Sequence, residues 1–242
     1  MNNINKLLAY HNDPKIKEDI LLQLKHHYDS DEIVKGEYWE NGKGCAVGCT
    51  LHSSNHKEYE IRFGIPKILA YLEDGIFEKL PNELSKEWPI RFMDAINVGA
   101  DLSKVWSKFS IWMLGDPEYG VINFSKNKKV IQYIIDLYQR SLTEEVSSAE
   151  FKKASVDSYD PAYDYAAATA DAYAAAAAVA VSYAPARNYS TAACDYTAAA
   201  CDYTASAYAY AYTSCAATVK KHKEKHYIKQ ANKLIQIIKE TT

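Results

Sequence analysis

The chain has 242 residues, a formal net charge of −3 and 48% hydrophobic residues. That length gives one large domain or two small ones, with a core that needs no staples. The slightly acidic balance speaks against a general nucleic-acid binder, whose footprint is basic, so no nucleic-acid partner is expected. The five cysteines (Cys45, Cys49, Cys194, Cys201, Cys215) do not form a secreted disulfide framework. The start, MNNINKLLAYHNDPK, lacks a signal-peptide core, and the longest apolar run, Ala172 to Val181, is too short to span a membrane. A reduced, cytoplasmic protein without a membrane partner is expected.

Residues 1–36 read as helical. Asp13-Pro14 is a helix-start signal, with Pro14 suited to the first turn. Ile16, Ile20, Leu21 and Leu24 then share one face, with Lys17, Glu18 and Lys25 opposite. Tyr38-Trp39 leads into the loop Asn41-Gly42-Lys43-Gly44. From Cys45 to about Glu60 a helix is expected, weakened at Ser53-Ser54-Asn55. The one extended candidate is Tyr59 to Phe63, which alternates Tyr/Ile/Phe with Glu/Arg. Gly64-Ile65-Pro66 opens a helix with Ile68, Leu69, Leu72, Ile76 and Phe77 inward, and Leu80-Pro81-Asn82 ends it. The spacing predicts further helices over about Leu84 to Ile96, interrupted or restarted at Trp88-Pro89, and over Leu102 to Leu114. Lys128 to Leu142 carries a clear stripe: Val130, Ile131, Ile134, Ile135, Leu137 and Tyr138. Thr143 to Ser158 is polar and reads as a linker or short helix.

The composition then changes. From Tyr159 to Thr218 the chain is mostly Ala, Tyr, Thr, Ser, Cys and Val. Alanine is the best helix former, so long helices are expected, about Pro161–Tyr183 and from about Ser190, divided near Pro185. Tyr189, Tyr196, Tyr203 and Tyr210 recur every seven residues, and TAACDYT is followed by AAACDYT. A constant heptad keeps one face on one neighbour. Alanine lets two helices approach, the tyrosines fill the gaps, and the aspartates accept tyrosine hydroxyls. The same alanine faces fit pairing between chains, so a homo-oligomer is a further expectation. Threonine spacing is too uneven for an ice-binding face. Val219 to Thr242 reads as a basic amphipathic helix.

Reactive side chains concentrate between Tyr38 and Glu60. Cys45, Cys49, His52 and His56 are spaced four, three and four, a single stripe on a helix. Thiolate and imidazole are zinc ligands. A straight helix over that span is roughly 16 Å long at about 1.5 Å per residue, beyond the reach of one tetrahedral ion. Zinc at these four is therefore disfavoured and no cofactor is expected. Gly42-Lys43-Gly44-Cys45 offers a second reading. If Cys45 opens a helix, the glycines let backbone N–H groups approach an anion, and Lys43 adds positive potential. The same field activates the Cys45 thiol. No Walker motif is present. A Cys–His nucleophile would pair Cys45 or Cys49 with His52 or His56, oriented by an acid such as Glu73, Asp74, Glu78, Asp94 or Asp101. The tyrosine-rich helices offer a stacking surface for a nucleobase, with Arg187 supplying charge. The expected ligand-binding set is Lys43, Gly44, Cys45, Cys49, His52, His56 and Arg187, with no catalytic residue assigned.

The block GKGCAVGCTLHS…H…YE, followed by FGIPKILAYLEDGIFEKLPN and WPIRFMDAINVGADLS, resembles an uncharacterised family encoded by tailed phages and bacteria. The Ala-rich tract before an amphipathic terminal helix resembles the same family's C-terminal part, and in composition the alanine-repeat helices of toxin immunity proteins. The resemblance implies a phage or mobile-element setting in a bacterial host. With the residue readings above, three function classes are kept: a counter-defence protein that sequesters a small anionic, nucleotide-type signal; an inhibitor or immunity protein bound to a host protein; and, from the Cys/His cluster, a Cys/His or metal-dependent hydrolase. The expected fold is all-α, with an N-terminal helical domain at 1–150 and an Ala/Tyr-rich helical hairpin with an amphipathic end at 151–242.

Overall fold

In the computed structural model, residues 7–158, 169–187, 189–190, 194 and 196–241 are described. The protein is all-α: eleven α-helices and one two-stranded ribbon among the described residues. It divides into two compact units, residues 1–105 with 232–242, and residues 106–231. The composition change near residue 150 falls inside the second unit.

In the first unit, Ala9–Asn12 forms a tight turn in which Tyr10, His11 and Asn12 are left-handed, with φ of 56°, 50° and 60°. Helix α1 (Pro14–Asp29) follows, capped by the Asp13 side chain, which accepts from Lys15 N at 2.9 Å. The Asp13-Pro14 signal thus starts a helix as expected. Strands β1 (Trp39–Glu40) and β2 (Lys43–Gly44) pair antiparallel, Trp39 against Gly44. Helix α2 (Ala46–Leu51) is buried along its whole length. It packs its Gly48 against the ribbon, where a Cβ would lie 1.4 Å from the Tyr38 carbonyl oxygen.

The expected long helix from Cys45 to Glu60 is not one helix. His52 is left-handed, with φ 54°, and ends α2. Ser53 Oγ then accepts from Asn55 N, and Asn55 Oδ1 from Lys57 N. Such side chain-to-backbone bonds compete with helix continuation. The extended candidate Tyr59 to Phe63 is also corrected: Glu58–Phe63 is helix α3. Tyr59 and Phe63, four apart, are buried, and Ile61 between them is exposed, which is helical spacing. Helices α4 (Lys67–Lys79) and α5 (Asn82–Ala95) complete the core. Helix α5 continues through Pro89, because Trp88, Phe92 and Met93 are fully buried and their packing outweighs the lost bond.

Helix α6 (Val105–Gly115) leads into the second unit, followed by α7 (Lys128–Ser141) and α8 (Ser148–Ser158). The stripe read for α7 is its buried face: Ile131, Ile134, Ile135, Leu137 and Tyr138. The Ala/Tyr tract forms α9 (Ala170–Ala186) and α10 (Tyr196–Tyr212), packed on each other. Pro185 stands in the last turn of α9 rather than past its end. The proposed start at Pro161 lies outside the described residues. Buried alanines such as Ala177, Ala180, Ala205 and Ala209 let the helices close, and heptad tyrosines meet α9 tyrosines. Tyr210 stacks on Tyr173 at 5.2 Å, and Tyr196 meets Tyr183 at 4.1 Å. Asp202 accepts the hydroxyl of Tyr227, a tyrosine outside the repeat; Asp195 lies outside the described residues. Helix α11 (Ala216–Lys239) ends the chain. No helix among the described residues is long and apolar enough to cross a membrane.

Candidate functional site

The sequence places its site in the glycine loop, and the geometry there argues against an anion cradle. Gly44 N donates to Glu32 O at 3.0 Å, and Cys45 N to Glu37 O at 2.7 Å. Gly48 N donates to Cys45 Sγ at 3.4 Å. These N–H groups are already used inside the fold. Lys43 is exposed on the ribbon. The neighbouring cleft of about 200 Å³ is lined by Gly36, Glu37, Tyr38, Cys45, Asp74 and Glu78, and its three carboxylates repel an anion.

Both thiols here are buried. Cys49 Sγ donates to Gly44 O at 3.3 Å, and burial pushes its pKa up to about 12. Burial, with Asp74 alongside, raises the Cys45 thiol further. The activating field expected at Cys45 is thus outweighed by desolvation, and neither sulfur is a ready thiolate.

The two histidines part company at the α2 terminus. His56 is 4% exposed and stacks flat on Tyr71 at 4.1 Å. Its Nδ1 lies 3.1 Å from Ser54 O, and its Nε2 faces Asp74 Oδ2 at 3.8 Å. Asp74 is one of the acids named from sequence as a histidine partner. His52 instead stacks on Trp39, at 4.3 Å and 18° between planes. Its Nε2 is 2.8 Å from His27 Nε2, and His27 Nδ1 is 2.6 Å from Glu32 Oε2. Sequence reading missed His27, Glu32 and Trp39 as neighbours of His52. Among the described residues, no group of three or more His, Cys, Asp or Glu side chains is placed to hold a metal.

Behind this surface, Glu73 is fully buried, with Oε2 accepting the Tyr59 hydroxyl at 2.6 Å. Burial raises its carboxyl well above the ordinary value.

The seventh predicted residue, Arg187, belongs to the second unit. Its guanidinium lies over the Tyr183 ring at 5.4 Å. Tyr183 meets Tyr196, and Tyr196 lines a groove between α9 and α10. The groove has a volume of about 270 Å³ and is lined by Ala172, Tyr173, Ala176, Val179, Ala180, Tyr196 and Tyr203. Three tyrosines thus stand over an alanine and valine floor. The Tyr173 and Tyr203 rings neighbour each other, with centroids 6.4 Å apart and planes tilted by 34°. The heptad signalled Tyr196 and Tyr203, and a stacking surface was expected of these helices, but Tyr173 of α9 is outside the repeat and was not singled out. No family model, curated protein or solved structure matches the chain.

Proposed function

We propose that the protein binds and sequesters a small anionic ligand with a planar ring, of the nucleotide type, in the groove between α9 and α10. The observation that carries this reading is the tyrosine-walled cavity of about 270 Å³ on the alanine floor. Small-molecule sites pair an apolar lining with a few polar groups. Tyrosine suits that role, since its ring stacks and its hydroxyl hydrogen-bonds. Arg187, held over Tyr183 beside the wall residue Tyr196, supplies the cation that an anionic ligand needs. The groove and Arg187 replace Lys43 and the glycine loop as the seat, because the loop's N–H groups are spent on carbonyls.

Retention rather than turnover follows from the site's chemistry: alanine, valine and tyrosine side chains carry no activated nucleophile. The role as a phage or mobile-element counter-defence protein rests on the sequence resemblance and is part of the same proposal. Titration of the purified protein with adenosine 5′-monophosphate and cyclic dinucleotides, followed by tyrosine fluorescence, tests it. Saturable binding is expected, with the ligand recovered intact after heat denaturation. Release of a cleaved product overturns sequestration, and absence of saturable binding across the panel overturns the nucleotide class.

A further inference from the structure

Around His52 the first unit holds an arrangement that binding in the groove does not use. Glu32, His27 and His52 form a continuous chain: 2.6 Å from carboxylate to Nδ1, then 2.8 Å between the two Nε2 atoms. An ionised carboxylate only accepts, so His27 Nδ1 carries a hydrogen. One hydrogen remains between the two Nε2 atoms. With His27 neutral it belongs to His52, and the lone pair of His52 is on Nδ1. Trp39 stacked on the imidazole fixes the plane of the ring. Partial burial, then His27 and Arg62, hold the His52 pKa below its ordinary value, which keeps Nδ1 unprotonated. His52 is solvent-exposed and holds a left-handed backbone, a conformation that costs a non-glycine residue about 1 kcal/mol.

We propose that His52 Nδ1 is a nucleophile for activated acyl groups, with His27 and Glu32 as positioning residues that take up the released proton. The Nδ1 lone pair attacks a carbonyl carbon, an N–C bond forms, and the leaving group departs with its electron pair. The acylated ring is cationic while Nε2 keeps its hydrogen. Passing that hydrogen to His27 Nε2, 2.8 Å away, neutralises the ring and leaves an imidazolium against the Glu32 carboxylate. Water then adds its hydroxyl to the acyl carbon and gives its other proton to solvent, where the departed leaving-group anion takes one up. The N–C bond breaks and His27 returns the hydrogen to His52. The substrate class is an ester or anhydride with a good leaving group.

Diethyl pyrocarbonate, an activated carbonyl compound, is the probe. At pH 7, with peptide mass spectrometry as readout, His52 should be carbethoxylated about tenfold faster than the exposed His26 of the same chain. Glu32→Gln should slow His52 about tenfold and move the inflection of its pH–rate profile, while leaving His26 unchanged. Glu32→Asp should restore part of the rate. If Glu32→Gln disturbs the fold, seen as a changed rate at His26, His27→Gln carries the same expectation for His52. Equal rates at His52 and His26, or a His52 rate indifferent to both substitutions, overturn the proposal.

Discussion

Between Glu32 and Asp74 the chain sets polar side chains against one another; between Ala170 and Tyr212 it has few to set. In the first region every unusual feature is local and non-repeating: a left-handed histidine, a glycine under a carbonyl, a carboxylate behind an imidazole. In the second, one residue pattern recurs, and its product is a shape. The two regions are held by different physics. Directed hydrogen bonds fix protonation and reactivity, and they tolerate no slip. Small side chains fix a distance between backbones, and a groove remains where large rings stand apart.

The comparison breaks most sharply at Gly48. A Cβ there would lie 1.4 Å from the Tyr38 carbonyl oxygen, and backbone cannot step aside cheaply. Gly48→Ala is expected to cost at least about 3 kcal/mol, read as a lowered thermal midpoint. By contrast Ala176→Gly, on the groove floor, should cost about 1 kcal/mol, the helix-propensity term alone.

The second unit has a pH sensitivity of its own. His226 is fully buried, bonds to Gln230, and is held down to about 4 by burial. The unfolded chain takes up this proton near 6.5, whereas the folded chain refuses it until about 4. Stability from this group is therefore complete above 6.5 and is lost as pH falls towards 4. The loss is on the order of 3 kcal/mol, measurable by urea denaturation at stepped pH and absent in a folded His226→Gln variant.

Groove substitutions come next. Tyr203→Ala should weaken nucleotide binding by about 1–2 kcal/mol without affecting carbethoxylation of His52. Arg187→Gln should weaken it less, by about 0.5–1 kcal/mol, with the deficit growing as the ligand's charge increases. Lys43→Ala should leave binding unchanged, since the loop it stands on is closed to ligands. A large loss in calorimetry from Lys43→Ala would return the anion site to the first unit.

Much of the fold was legible because it is carried by local periodicity. Asp13-Pro14 announces α1, the Ile/Leu/Tyr stripe announces α7, and the tyrosine heptad announces the contact of α10 with α9. The break after Leu51 was marked by Ser53-Ser54-Asn55, but its position was set by His52 turning left-handed. The site was legible only in part. His52 was singled out, yet its partners stand 20 and 25 residues earlier, across the end of α1. No periodicity links positions joined only by tertiary packing. Trp39 stacks on His52 through the two-residue ribbon, too short to show strand alternation. Cys45 was misread for a physical reason. Its position before a helix favours a thiolate, but the six-residue α2 is buried throughout, and desolvation wins.

The left-handed turn at Tyr10 to Asn12 bears on the order in which the first unit assembles. Three such residues together cost about 3 kcal/mol or more in an isolated chain, so the turn cannot be an early nucleus. What holds it is distant in sequence: the Tyr10 hydroxyl donates to Met93 O, His11 Nε2 meets Ile61 O, and Ala9 N donates to Ala100 O. Those acceptors must be in place before the turn gains anything by closing. This turn is therefore among the last parts of the first unit to lock, because each of its partners lies 50 or more residues further along the chain.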